Sequence, residues 1–190
     1  MKKSLVIASN NAHKVDEIRA VLGDRFDLLT LNDISFNEDI PETADTFVGN
    51  ALIKAKTIYE KFKMNCFADD SGLEIVALNN EPGVYSARYA GEPVDHSKNI
   101  DKVLQKLAGI TDRSARFVTV IALIIDGEEF IFEGEVRGRI TSERRGTNGF
   151  GYDPIFIPEN ETRTFAEMSN DEKISMSHRS RAIQKMVAKI

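Results

Sequence analysis

The chain has a single cysteine, Cys66, set in an apolar run, so no disulfide framework exists and a reducing, cytoplasmic setting is expected. Long apolar runs are missing as well. After Met1-Lys2-Lys3 only Leu5 to Ala8 is continuously apolar before Ser9-Asn10-Asn11, too short for a signal-peptide core, and nothing elsewhere approaches a membrane span. Internal repeats, low-complexity tracts and long linkers are absent. At 190 residues and 42% hydrophobic content the chain can bury about 70% of its unfolded surface, so one domain covering residues 1–190 is expected. Excess positive charge is also lacking. Asp and Glu number 30 against 25 Lys and Arg, a net charge of -5 that argues against nucleic-acid and anionic-membrane partners while leaving room for a local basic pocket that binds polyphosphate. No Cys or second His stands at metal-ligand spacing from His13, which therefore reads as a surface residue. The sequon Asn160-Glu161-Thr162 carries no weight without secretion.

What is present is an alternation of strand and helix signals in the first half, which predicts an α/β fold with helices layered on a sheet. Leu5 to Ala8 reads as a buried first strand. Asn11 caps a helix with Val15, Ile18, Val21 and Leu22 on its apolar face and Gly23 as its stop. Thr46 opens a long helix carrying Phe47, Ala51, Ala55, Ile58, Tyr59 and Phe62 on one side, with Asn50 and Lys54 paired i,i+4 elsewhere on its surface. A third helix is predicted around Ser97 to Leu107. From Ala115 to Ile125 the pattern alternates strictly, and Asp126-Gly127 signals a type I′ hairpin with a return strand through Phe130 and Phe132.

Four segments offer chemistry. Cys66-Phe67-Ala68 runs into Asp69-Asp70-Ser71-Gly72 before Leu73-Glu74-Ile75-Val76 resumes the apolar pattern. Carboxylates beside buried apolar runs are usually paired, hydrogen-bonded or bound to a cation, and hard oxygen ligands suit Mg²⁺. The alternative is a solvated acidic turn closing one strand and opening another. Ser9-Asn10-Asn11-Ala12-His13-Lys14 places small polar residues and a cation at a helix N-terminus, either an anion site or a plain cap with a solvated lysine. Lys173 with Ser177-His178-Arg179-Ser180 repeats that combination at the start of the last helix, whose inner face would be Ile183, Met186, Val187 and Ile190. The segment from Gly146 to Pro154 has three glycines in six residues, and Phe150 and Tyr152 offer flat faces to a base. It lacks the Gly-Lys-Ser/Thr of a P-loop and the glycine spacing of a dinucleotide fingerprint, so a simple glycine-rich loop is its alternative. Cations, carboxylates and a planar loop together suit a Mg²⁺-nucleotide.

These residues also resemble a known family. Ser9-Asn10-Asn11 with Lys14, Thr46-Phe47 with Asn50-Ala51 and Lys54-Ala55, Ala68-Asp69-Asp70-Ser71-Gly72-Leu73, Pro82-Gly83-Val84 with Ser86-Ala87-Arg88-Tyr89, Gly149-Phe150-Gly151-Tyr152-Asp153-Pro154 and Ser177-His178-Arg179 are similar, in order, to the inosine/xanthosine triphosphate pyrophosphatases. The resemblance implies an elongated, two-lobed α/β fold with a mixed sheet flanked by helices, a central nucleotide cleft and usually a homodimer. It implies Mg²⁺-dependent hydrolysis of non-canonical purine triphosphates to monophosphate and pyrophosphate. On this resemblance Asp70 is the metal-binding and water-activating aspartate, and Glu42 the second metal carboxylate. Lys14, Lys54 and Lys173 hold phosphates with help from Ser71, and Ser9, Asn10, Asn11 and Asn50 are further substrate-binding residues. Phe150, Gly151, Tyr152, Asp153, His178 and Arg179 hold the base. The role of Arg88-Tyr89 stays open among core, interface and cleft.

Where the family commonly has Glu, this chain has Gly49, which removes a capping box and is expected to weaken the helix start by about 1 kcal/mol and loosen the surroundings of Asn50. Adjacent strand residues face opposite ways, so Asp69 is expected to be structural while Asp70 faces the chemistry. Two rivals remain. An aspartyl-phosphate phosphatase needs its two acids two residues apart on one face, which Asp69-Asp70 does not provide. A non-enzymatic nucleotide sensor would bind with the same cations and release no pyrophosphate.

Overall fold

The structure, a computed structural model, describes residues 4–190. Its strands are β1 (Ser4–Ile7), β2 (Asp27–Leu29), β3 (Cys66–Ile75), β4 (Glu81–Pro82), β5 (Ser114–Ile125), β6 (Glu128–Ile140) and β7 (Phe156–Pro158). Its helices are α1 (Ala12–Leu22), α2 (Phe47–Phe62), α3 (His96–Lys106), α4 (Asn170–Met176) and α5 (His178–Val187). The strands form a mixed sheet in the order β2-β1-β3-β5-β6-β7, with β4 on β3. β1 runs parallel to β2 and β3, while β4 on β3 and β7 on β6 are antiparallel. The chain divides into two compact units, each assembled from separated stretches.

The first unit comprises Met1–Asp70, Thr119–Gly134 and Arg179–Ile190. Asn11 caps α1 by accepting from the Lys14 amide, and Gly23 ends it, as the sequence predicts. The stripe Val15, Ile18, Leu22 follows helical spacing and packs with Leu5 and Ile7 of β1, Phe67 of β3, Ile121 and Leu123 of β5, and Ala182, Ile183 and Met186 of α5. Thr46 caps α2 through the Gly49 amide. Asp126 and Gly127 both have positive φ (52° and 88°), the type I′ turn expected of that dipeptide, and Asn65 accepts from the Asp126 amide at 2.8 Å.

The second unit comprises Ser71–Val118 and Glu135–His178. Its core joins Leu73 and Ile75, Phe117, Val136 and Ile140 to Ile100, Val103 and Leu107 of the α3 region, together with Tyr89, Phe156 and Phe165. Phe117, Phe156 and Phe165 form a ring cluster with centroids 4.6 to 6.1 Å apart. Arg116 ties three strands by donating to Glu74 at 2.7 Å and Glu135 at 2.5 Å. Tyr89 proves to be a core residue. Its hydroxyl donates to Glu81 at 2.5 Å, and the Lys102 ammonium lies 4.3 Å from its ring centroid.

Four expectations change. β3 runs through Asp69-Asp70-Ser71-Gly72 without interruption, so the acidic turn does not exist. β5 is buried on both faces from Phe117 to Ile124, because Val118, Val120, Ala122 and Ile124 fill the positions between the alternating set. The α3 helix starts one residue before Ser97, capped by Asp95 through the Lys98 amide. The predicted last helix is two helices, and Lys173 sits on the first of them, α4, whose cap is a Ser169–Glu172 capping box.

Candidate active site

In the first unit, cations from three helices gather on the two adjacent carboxylates of β3. Asp69 is buried, and its Oδ2 accepts from the Lys14 Nζ of α1 at 3.0 Å, with the Arg179 Nε of α5 at 3.6 Å. The carbonyl oxygen of Asp69 accepts from Lys54 Nζ at 2.7 Å. Asp70 Oδ2 accepts from Asn50 Nδ2 at 3.1 Å. Lys54 also donates to Glu42 Oε1 at 2.5 Å, and the Asn50 Oδ1 accepts from the Ala44 amide at 3.0 Å. Asn50 and Lys54, one turn apart on α2, therefore each join β3 to the irregular stretch that precedes α2. Arg179 is paired with Glu17 of α1.

The two aspartates are treated oppositely. Burial alone would raise Asp69, but Lys14, Arg179 and Lys54 outweigh it and hold its carboxyl well below the usual range. For Asp70 burial wins. With Glu42 adding like-charge repulsion, its carboxyl is pushed up against the pull of Lys54 and Lys14. Burial would likewise lower Lys54, yet Asp69, Asp70 and Glu42 together raise it. Asp70 and Glu42 thus form a pair of hard oxygen donors that repel each other. Among the described residues no third His, Cys, Asp or Glu joins them as a closed cage. That donor set suits Mg²⁺, which keeps several waters and takes other ligands from phosphate oxygens, rather than a metal needing an all-protein site.

Of the other predicted substrate-binding residues, Ser9, Asn10 and Asn11 lie between β1 and α1, and Ser71 lies inside β3. Ser9 Oγ accepts from the Asn11 amide at 3.3 Å, Asn10 is exposed, and Ser71, the first residue of the second unit, is half-buried. Cys66 donates to the Ala55 carbonyl, and burial pushes its thiol up to about 12, so it has no thiolate with which to act as a nucleophile.

In the second unit Asp153 organises the glycine-rich loop. Its Oδ2 accepts from Lys173 Nζ at 2.6 Å and from the Phe150 amide at 2.8 Å, and the Lys173 ammonium lies 4.6 Å from the Phe150 ring centroid. Gly149 has φ +75°, and a Cβ there would run into the Asp153 carboxylate, so only glycine permits this closure. Lys173 is thus part of the loop's own framework and belongs to a different unit from Lys14 and Lys54. Tyr152 departs from expectation. It is buried in the core with its hydroxyl on the Ser86 carbonyl at 2.8 Å, whereas Phe150, beside Gly151, is half-buried with the Lys173 ammonium over its ring. His178, the first residue of α5, stacks on Phe117 at 4.8 Å and 11°. Lys173→Met is expected to lower the melting temperature and raise KM for every base alike, since it removes the countercharge that shapes the loop. A change confined to one base, with unaltered melting, would place Lys173 on the ligand instead.

Two features escaped the sequence. Glu17 stands three residues after Lys14, on the same face of α1, a spacing that was legible but had no visible partner until Arg179 folded onto it. Gly49 was read only as a lost cap. A Cβ there would lie 2.5 Å from the Ala44 Cβ, so glycine lets the preceding stretch lie against α2, and Asn50 is fully buried with both ends of its amide bonded rather than loosened. Gly49→Ala is accordingly expected to lower stability by about 1–3 kcal/mol through overpacking. Thermal denaturation checks this, because helix propensity alone gives the opposite sign, a gain of about 1 kcal/mol.

Comparison with known proteins fits this geometry. The model of the Ham1 family matches residues 5–189. A dITP/XTP pyrophosphatase of Flavobacterium johnsoniae is 51% identical over 183 residues, covering 96% of this chain and 95% of its own length. The Bacillus subtilis protein of the same name is 47% identical over 188 residues, covering 97% and 95%. The solved Staphylococcus aureus Ham1 protein superposes with a TM-score of 0.90 at 42% identity, covering 98% of this chain and 97% of that one. A HAM1 protein from Coxiella burnetii gives 0.91 at 41% identity, covering 98% of each chain. With its full length matched and its motif residues gathered on β3, α1, α2 and α5, the chain belongs to the Ham1 family.

Proposed function

We propose that this protein hydrolyses non-canonical purine nucleoside triphosphates, dITP, ITP and XTP, to the monophosphate and pyrophosphate, with Mg²⁺ as cofactor, as a cytoplasmic homodimer that clears the nucleotide pool. The observation that carries the reading is the opposite treatment of Asp69 and Asp70. The Asp69 carboxylate is held by Lys14 with Arg179 beside it, whereas Asp70 accepts from Asn50 with Glu42 nearby and is placed to hold a cation and orient a water. The names of full-length relatives, dITP/XTP pyrophosphatase, support the substrate class.

In this reading Glu42 and Asp70 would hold Mg²⁺, which would supply positive charge against the phosphates. Asp70 orients the water whose oxygen attacks as the α–β anhydride bond breaks, and it takes the water's proton while pyrophosphate leaves. Lys14 and Lys54 present ammonium groups to the phosphate oxygens. Asp69 fixes both, through its carboxylate and its carbonyl oxygen respectively. Ser9, Asn10, Asn11 and Ser71 complete the phosphate side. Phe150 stacks on the base, and His178 and Arg179 read its edge. The test is a panel of nucleotides with Mg²⁺, scored for pyrophosphate and monophosphate release. Release from dITP, ITP and XTP is expected. Tight binding without pyrophosphate would make the protein a sensor, and equal release from every nucleotide would make it a generic pyrophosphatase.

A further inference from the structure

The Lys54 ammonium has three donors, and two are spent on groups of different character: the fixed main-chain oxygen of Asp69 inside β3, and the Glu42 carboxylate on a stretch with no regular structure. That stretch lies along α2 by discrete tethers. Glu38 pairs with Lys61, Glu42 with Lys54, the Ala44 amide donates to Asn50, and Thr46 caps the helix. Glu42 therefore sits between tethers that hold independently of it, and its carboxylate can change partner without the stretch leaving the helix.

We propose that Lys54 and a divalent cation compete for Glu42. The inference rests on the reading of Glu42 and Asp70 as the divalent-cation pair and adds a coupling to it. With Lys54 on Glu42, one of the two carboxylates is neutralised by an internal cation and the site attracts Mg²⁺ weakly. A polyphosphate chain that draws the ammonium toward its own oxygens returns Glu42 to the metal, so each ligand tightens the other, as linkage requires. Lys54 stays anchored through Asp69 during the exchange, which keeps the lysine near both partners. Loss of the Lys54 charge must then move metal and nucleotide affinity in opposite directions, and in the unaltered protein the Lys54 ammonium must itself change surroundings as the metal arrives.

The probe is Mn²⁺ titrated into nucleotide-free protein, with bound ion read by water-proton relaxation. Lys54→Met is expected to tighten Mn²⁺ by at least ~10-fold, as removal of a unit charge a few ångströms away permits. Lys54→Arg, which keeps the charge, is expected to stay within ~2-fold of the unaltered protein. Unchanged or weaker Mn²⁺ binding in folded Lys54→Met overturns the proposal. A second measurement needs no substitution: the Lys54 ammonium resonance of the unaltered protein is expected to shift as Mg²⁺ is added, and a signal that stays put through metal saturation overturns it equally. Asp70→Asn separates the two levels. If it binds Mn²⁺ as the unaltered protein does, the metal-site reading itself falls. If it weakens Mn²⁺ while Lys54→Met tightens nothing, the competition alone falls.

Discussion

Asp69→Asn is expected to lower the melting temperature by roughly 6–20 °C, whereas Asp70→Asn is expected to leave it unchanged or raise it while cutting kcat at least ~100-fold. Two adjacent residues of one strand, given the same substitution, should respond with opposite signs. Asp69 is the countercharge of Lys14 and Arg179, and removing one partner of a buried ion pair costs about 3–5 kcal/mol because the remaining charges stay buried. In a protein of this size each kcal/mol moves the melting temperature by about 2–4 °C. Asp70, by contrast, is ionised at a cost to the fold. The pH dependence carries the same signature. A carboxyl held low in the folded state stabilises above its unfolded value near ~4 and loses that contribution as pH falls through the lower folded value, so Asp69 acts in the acid range. A carboxyl pushed up in the folded state favours folding below ~4 and loses that contribution as pH rises through the raised value, so Asp70→Asn relieves the metal-free protein at neutral pH. Melting curves of both variants without metal, followed by steady-state kinetics with Mg²⁺, decide the matter. Equal catalytic losses with unchanged melting at both positions would sink the division of labour.

The second large effect concerns the base. Hypoxanthine and xanthine carry a 6-oxo acceptor where adenine carries a 6-amino donor, and in the proposed reading the donors are His178 at the start of α5 and Arg179 after it. Adenine would leave donor facing donor, and a site built to bond a substrate group rejects an analogue lacking it by ~10⁴-fold. The expected result is kcat/KM for ITP exceeding that for ATP by about that factor. Arg179→Ala should erode the ratio, and Phe150→Ala should weaken all bases alike. Because Arg179 is ion-paired with Glu17 and buried, the alanine variant will also lose folded protein. The ratio measured on one preparation is indifferent to that loss, which is why it, rather than either rate, is the quantity to compare. Similar kcat/KM for ATP and ITP in the unaltered protein would refute base reading through these donors.

Local signals in the sequence translated well. Asn11 and Gly23 bound α1, Thr46 caps α2, and Asp126-Gly127 makes its hairpin, since each acts through atoms a few residues apart. The failures reflect partners that a local window does not contain. Asp69-Asp70-Ser71-Gly72 has turn composition, yet it stays extended because its charges are met by Lys14, Lys54 and Arg179, residues far off in the chain whose arrival no local window can register. The same holds for Lys173, whose ion pair with Asp153 fixes a loop, and for Tyr152, whose flat face is spent on a core that only the folded second unit defines. Composition identified the participants, and long-range charge pairing and core packing chose their partners.

The strands and helices of the first unit come from stretches far apart in the chain, and this sets an order in time. Lys14 and Lys54 are made before Asp69, but Arg179 follows it by more than a hundred residues, roughly 5–20 s later at ribosomal speed. Through that interval the nascent chain holds a carboxylate without its last countercharge, and the core formed by Leu5, Ile7 and Phe67 lacks Ala182, Ile183 and Met186 of α5. Burial of Asp69 and closure of that core thus come well after Asp69 itself is made, and a chain interrupted before residue 179 should be a client of chaperones rather than a partly active enzyme.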